Sequence, residues 1–189
     1  MHGCIRKKKF IGVTLVELIV VVSILSLLTL IAIPSSTTKD SYQLDLAINE
    51  ISYAIRYART EAIRSNNVYG VDIDQSSQQI TVYKANLSTN PASMEFIVLH
   101  PVNKQPYDYN LVADLNLANV QIDDSLLPFL YKDGARRKSL LFDGKGIPLW
   151  IETSTNTQSL LSSSNISLQL GSAKKSILVE PYHGRVTIQ

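Results

Sequence analysis

Residues Val13 to Ile33 form a run of 21 residues in which Glu17 is the one charged side chain. At about 1.5 Å per residue a helix of that length measures about 31 Å, close to the roughly 30 Å hydrocarbon core of a bilayer. A different pattern follows. Leu44, Ile48, Ile51, Ile55, Ala58 and Ala62 recur at alternating steps of four and three, which predicts an amphipathic helix over about 40–65 with one buried face. Asp40 or Ser41 is suited to cap its start, and Asn66 with Asn67 to stop it. Arg56, Arg59 and Arg64 lie toward its C-terminal end, where the helix dipole favours cations.

Beyond the helix the period shortens to that of strands. Short runs rich in valine, isoleucine and tyrosine occur at Val68–Ile73, Ile80–Ala85, Phe96–Leu99, Leu140–Asp143, Leu149–Glu152, Ile166–Leu170, Ile177–Glu180 and Arg185–Ile188. They predict a head of mostly antiparallel strands. The signal is mixed between Pro101 and Gly134, and the Ser/Thr/Asn-rich stretch Thr153–Asn165 reads as a long mobile loop.

Charge gives the apolar run its direction. Arg6, Lys7, Lys8 and Lys9 precede it with no acidic residue among them, so the N-terminus is expected in the cytoplasm and the rest outside it. Three readings of the segment compete. A cleaved secretory signal usually has a hydrophobic core of only about 7–15 residues and a small-x-small exit; Ile31-Ala32-Ile33-Pro34 lacks that exit. A plain membrane anchor leaves Glu17 near the interface or else without a partner in lipid. The third reading cuts the chain after Gly12. The new amino group of Val13 would then be a cation within reach of Glu17 on a neighbouring chain, and would fix the register between subunits.

The residues Lys7-Lys8-Lys9-Phe10-Ile11-Gly12 followed by Val13-Thr14-Leu15-Val16-Glu17 resemble the class III signal of type IV pilins and pseudopilins. That resemblance implies that a prepilin peptidase cuts after Gly12 and methylates Val13, and that Glu17 serves in filament assembly. Val13 stands where the family usually has phenylalanine. Pro34 resembles the helix-kinking proline of pilins, and a missing N–H there would bend the helix. Ala58-Arg59-Thr60-Glu61-Ala62-Ile63-Arg64, then Phe142-Asp143-Gly144-Lys145-Gly146, and the C-terminal Gly184-Arg185-Val186-Thr187-Ile188 resemble the GspH/FimT group of minor pseudopilins.

The implied fold is α+β, with a long N-terminal helix, transmembrane then amphipathic, packed on a mostly antiparallel β-sandwich head. The expected organisation is a basic leader over 1–12 that is removed, a transmembrane helix over 13–33, an amphipathic continuation over 34–66 and a periplasmic head over 67–189. The resemblance implies an inner-membrane subunit near the tip of a type II secretion pseudopilus or a type IV pilus. Its implied partners are other pilins or pseudopilins through the N-terminal helix, the prepilin peptidase and secreted protein cargo.

Composition narrows the chemistry. The 189 residues carry a net charge of +2, so the chain is no polycation. Cys4 is the single cysteine, which excludes an internal disulfide and paired-cysteine zinc sites. His2, His100 and His183 are too scattered to suggest a metal cluster. No His-Glu-x-x-His, Gly-x-Ser-x-Gly or Walker sequence is present, and no cofactor is expected. Asp143-Gly144-Lys145-Gly146 precedes a strand-like run and reads as a turn, not a phosphate cradle. Asp72 with Asp74, and Asp123 with Asp124, lack the acidic loop of an EF-hand and read as solvated turn residues.

The charge is nevertheless uneven. Residues 13–131 carry −6, whereas 132–189 carry eight basic against four acidic side chains, or +4. Arg136, Arg137, Lys138 and Arg185 are therefore candidate contacts to DNA, as an alternative to complementarity with an acidic neighbour. Members of the group that bind DNA in natural transformation resemble one another in a C-terminal Gly-Arg-x-Arg motif. The matching positions here are Gly184, Arg185, Val186 and Thr187, so the second arginine is absent.

Overall fold

The computed structural model describes residues 14–32, 36–89, 93–155 and 157–189. Gly12, Val13, Pro34 and the basic leader, for which processing and a bend are expected, lie outside the described residues. The chain divides into two compact units, one ending at Thr38 and the other spanning Lys39–Gln189.

In the first unit α1 spans Leu15–Ala32. Thr14 caps it, its Oγ1 accepting from the Glu17 amide at 3.2 Å. Ser23 Oγ donates to Ile19 O at 2.8 Å, which satisfies its hydroxyl within a largely apolar helix. Among the described residues no helix is long and apolar enough to cross a membrane. The segment expected to span, 13–33, begins and ends on residues outside the described ones.

α2 spans Ser36–Ser65. It starts before Asp40 and Ser41, so neither is its cap: no proline or glycine interrupts residues 35–65. Its end falls where expected, at Asn66, whose φ of 53° takes the left-handed conformation that asparagine tolerates. The stripe from Leu44 through Ala47, Ile48, Ile51, Ile55 and Ala58 to Ala62 is buried in one cluster with residues of both sheets.

The strands are β1 (Tyr69–Asp74), β2 (Gln79–Asn86), β3 (Ser93–Ile97), β4 (Asp108–Asn110), β5 (Gln121–Ile122), β6 (Phe129–Tyr131), β7 (Arg136–Arg137), β8 (Ser139–Phe142), β9 (Pro148–Glu152), β10 (Thr157–Ser164), β11 (Ile166–Leu170), β12 (Ala173–Val179) and β13 (Val186–Ile188). Nine of them form one sheet in the order β3-β2-β1-β8-β9-β10-β6-β7, with β4 also paired to β2. The others form a second sheet, β13-β12-β11-β5. The pairings are antiparallel, for example Val71 opposite Val82 and Val71 opposite Leu140. The fold is α+β, as the sequence pattern implied. On its other face the larger sheet buries a smaller cluster of Tyr83, Ala85, Leu141, Leu149 and Ile151. Gly70 lies beneath that cluster, where a Cβ would stand 2.7 Å from both Leu141 and Tyr83.

Each of the eight expected strands has a counterpart among the thirteen of the described residues. The loop expected over Thr153–Asn165 is corrected: apart from a turn at 153–155, it holds the eight-residue strand β10. The cause is backbone bonding by serine. Ser164, buried, accepts from Val179 N at 2.6 Å and donates to Val179 O at 3.2 Å, while Ser159 Oγ accepts from Asp133 N at 3.1 Å. β10 also exchanges partners along its length, pairing over Thr157–Leu160 with β9 and from Leu161 onward with β6, where the register is irregular between Leu161 and Ser163. Hydropathy hides such a strand because its inward side chains are partly hydroxyls that bond neighbouring backbone.

Within the mixed region after Pro101, two glutamines of the β1–β2 turn hold the chain. Gln78 Nε2 donates to Ile122 O at 3.1 Å, and Gln75 Nε2 to Leu126 O at 3.0 Å.

Replacing Ser164 with alanine leaves the buried Val179 amide without its partner, and is expected to cost about 1–3 kcal/mol in urea unfolding. The exposed Ser162→Ala change on the same strand is expected to stay within about 0.5 kcal/mol.

Candidate interaction cleft beside the C-terminal turn

The turn between β12 and β13 is closed by Glu180 N donating to Arg185 O at 2.8 Å and Gly184 N to Glu180 O at 2.9 Å. Gly184 has a φ of 62°, and a Cβ there would lie 2.8 Å from the Phe142 ring and 3.0 Å from Gly146 O. Glycine is thus required both by the backbone and by the close approach of β8. Asp143-Gly144-Lys145-Gly146 is the turn expected, and Asp143 closes it: its Oδ1 accepts from Lys145 N at 2.9 Å and Ile147 N at 2.8 Å, and its carbonyl from Gly146 N at 2.8 Å.

α2 fastens both turns. Arg56 Nη2 donates to Val186 O at 3.3 Å and Arg59 Nε to Gly146 O at 3.2 Å. Each guanidinium has further N–H groups to offer. Arg56, Arg59, Thr60, Glu180, His183 and Arg185 all line an open cleft of about 790 Å³. Among the described residues no carboxylate pairs with Arg56, Arg59 or Arg185; Glu180 lies instead 3.4 Å from His183. The cleft can therefore offer guanidinium groups to an anion.

On the neighbouring side of α2 a groove of about 500 Å³ shares Arg56 and Thr60 with the cleft. Tyr57 and Tyr107 stack in it with ring centroids 5.8 Å apart, and His100 tilts over Tyr107 at 4.5 Å. Tyr107 Oη donates to Glu50 at 3.1 Å, and burial followed by the Glu50 charge pushes that phenol well above its usual range. Tyr107 stays a neutral donor at ordinary pH.

The four basic candidates do not converge. Gly184 beside Arg185 packs on Phe142, whereas Lys138 and Arg137 adjoin the opposite end of β8, about 13 Å away at roughly 3.3 Å per residue. Lys138 Nζ lies 2.9 Å from Asp74 and 3.1 Å from Asp72. Arg137 pairs with Asp133 at 2.8 Å and stacks over Tyr131 and Trp150, each 5.0 Å from the ring centre. Arg136 donates to Leu127 O at 3.0 Å. These three brace the sheet, and Arg185 has Arg56 and Arg59 for company. Sequence position places Arg56 and Arg59 at the favourable end of the helix dipole, and a spacing of three gives them a shared face, but neither tells what lies opposite that face.

The carboxylates in the turns act as anchors. Asp74 is held well below the usual carboxylate range by the Ser76 hydroxyl and then Lys138, Asp114 is lowered by the Tyr109 hydroxyl, and Asp133 by Arg137. None of the acidic pairs belongs to a group of metal-binding side chains among the described residues.

Helix, antiparallel head and an N-terminal apolar helix with a glutamate in its first turn define a pilin-like subunit. The chain belongs to the family described as type II transport protein GspH, which matches residues 47–180, and a prokaryotic N-terminal methylation motif matches residues 7–33. Among solved structures the chain is similar to the minor pseudopilin EpsH from the type 2 secretion system of Vibrio cholerae, with 13% identity and a TM-score of 0.49 over 78% of this chain and 96% of that one. It is also similar to the type IV minor pilin FimU of Pseudomonas aeruginosa, with 13% identity and a TM-score of 0.46 over 80% and 92%. No curated protein sequence gives a significant match.

Because these carboxylates have lowered folded-state values, their contribution is complete above the ordinary carboxylate range and is lost as pH falls through and below it. Thermal melts are expected to show little change from about pH 7 to 5 and a falling Tm below about pH 4. Arg137→Ala is expected to shrink that acid-side fall by removing the main cause acting on Asp133.

Proposed function

We propose that the chain is a non-enzymatic minor pseudopilin, a structural subunit near the tip of a type II secretion pseudopilus or of a related type IV pilus. Glu17 carries this reading. It is exposed in the first turn of an apolar helix, and among the described residues its carboxylate has no partner. An ionised carboxylate costs about 2.5–3.5 kcal/mol at a membrane centre and less near a helix end, and it normally has a partner. Cleavage after Gly12 supplies that partner in the amino group of Val13 on an adjacent subunit.

In this reading the prepilin peptidase processes the chain, residues 13–33 anchor it in the inner membrane with the head in the periplasm, and Pro34 bends the helix beyond the lipid. Other pilins pack along α1, and the head meets tip partners or secreted cargo. The GspH family and the methylation motif support it.

A second reading, a pilus subunit that binds DNA for uptake, draws on the guanidinium groups of the cleft. It would use Arg185 with Arg56 and Arg59, while Arg136, Arg137 and Lys138 would have to leave their internal contacts. Duplex DNA binding that weakens steeply with salt and disappears in Arg185→Ala would favour it. On the structural reading no such binding is expected.

Glu17→Ala is expected to leave cleavage after Gly12 intact, seen by mass spectrometry of the mature chain, while filament incorporation falls by about tenfold or more, the equivalent of roughly 1.4 kcal/mol. Normal incorporation of that variant would remove the assembly role of Glu17.

A further inference from the structure

We infer that the arginine cleft and the adjoining tyrosine groove form one docking surface for an acidic segment of a partner protein, in which a carboxylate lies two residues from a bulky apolar side chain. The two depressions meet at Arg56 and Thr60 on α2. One offers Arg56, Arg59 and Arg185 with no carboxylate partner among the described residues. The other offers Tyr53, which is 61% exposed, and Val102, 83% exposed, beside the fixed rings of Tyr57 and Tyr107. Tyr57 is held in place by donating to Leu99 O at 3.1 Å.

The chemistry of each half selects the ligand. Guanidinium groups bind a carboxylate through paired N–H donors, and tyrosine and arginine are both enriched among the residues that carry most of the binding energy at protein interfaces. Tyr53 and Arg56 are three residues apart on α2, which places their Cβ atoms about 5–6 Å apart. In an extended chain, side chains two residues apart point the same way at about 6.6 Å. One strand of a partner can thus seat an apolar side chain in the groove and a carboxylate in the cleft.

A nucleic-acid strand fits less well. Duplex DNA carries a charge about every 1.7 Å along its axis. Glu50 lines the groove and Glu180 lines the cleft, so each depression carries an acidic group as well as its cationic ones. A localised negative charge is accepted beside the arginines, and a continuous polyanion running through both depressions meets repulsion in each. The apolar wall adds nothing to phosphate.

This inference rests on the subunit reading for the source of the partner alone, since the chemistry of the surface is independent of Glu17. The full-length chain in neutral detergent is titrated with a fluorescein-labelled peptide Gly-Glu-Ser-Phe-Gly. Parallel titrations use peptides with lysine in place of glutamate or serine in place of phenylalanine, and a labelled DNA duplex. The expected result is saturable binding of the first peptide alone, weakening with salt, and loss of about tenfold in affinity in both Arg185→Ala and Tyr53→Ala. Both positions are exposed, so the variants retain the fold. Absence of saturable peptide binding overturns the inference. So does DNA binding that exceeds peptide binding and is unchanged by Tyr53→Ala. Either failure leaves the Glu17 assembly result standing.

Discussion

The burial of one stripe of α2 against both sheets is the contact on which the head depends. Ile51, Ala54, Ile55, Ala58 and Ala62 are fully buried, and the same cluster takes in Val71 and Leu140 from the larger sheet and Ile166 and Ile177 from the smaller. Each fully buried isoleucine of the stripe contributes about 1.5–3 kcal/mol relative to exposure, so together they outweigh any single polar contact. The alanines at 54, 58 and 62 matter for a second reason. A small side chain brings the helix axis close, which lets Arg56 and Arg59 on its flank reach carbonyl oxygens of Val186 and Gly146.

That close approach also explains why glycine stands at the turns facing α2. A Cβ on Gly146 would lie 2.7 Å from Ile63, and one on Gly184 would lie 3.2 Å from Arg59. The turns sit against the helix with backbone facing side chain, and the cleft is the space left beside them. Its charge follows from the same arrangement: Arg56 and Arg59 use part of their hydrogen-bonding capacity to hold the turns and keep the remainder for an anion.

Electrostatic excess in the C-terminal third is spent unevenly. Lys138, Arg137 and Lys175 each find a carboxylate, at Asp74 and Asp72, at Asp133 and at Asp45. Several of those carboxylates come from the acidic part of the chain, so the opposite charges of the two regions partly cancel across the fold. A count of charges along the chain sees the excess but not this cancellation, because Lys138 lies 64 positions from Asp74 in sequence. Arg185 remains outside that pairing, and its importance rises accordingly.

The sequence by itself determined the elements whose signal is local. A stripe at alternating steps of four and three marks α2, Asn66 marks its end, eight apolar runs mark eight strands, and the basic leader with Gly12 and Glu17 marks the family. The tertiary structure decided what depends on residues far apart. β10 is a strand because Ser164 bonds Val179 and Ser159 meets Asp133, contacts that a polar composition conceals. The cleft exists because Arg56 reaches a turn 130 residues further along the chain. Periodicity reports which face of an element seeks burial; only packing settles which distant backbone or charge that face will meet.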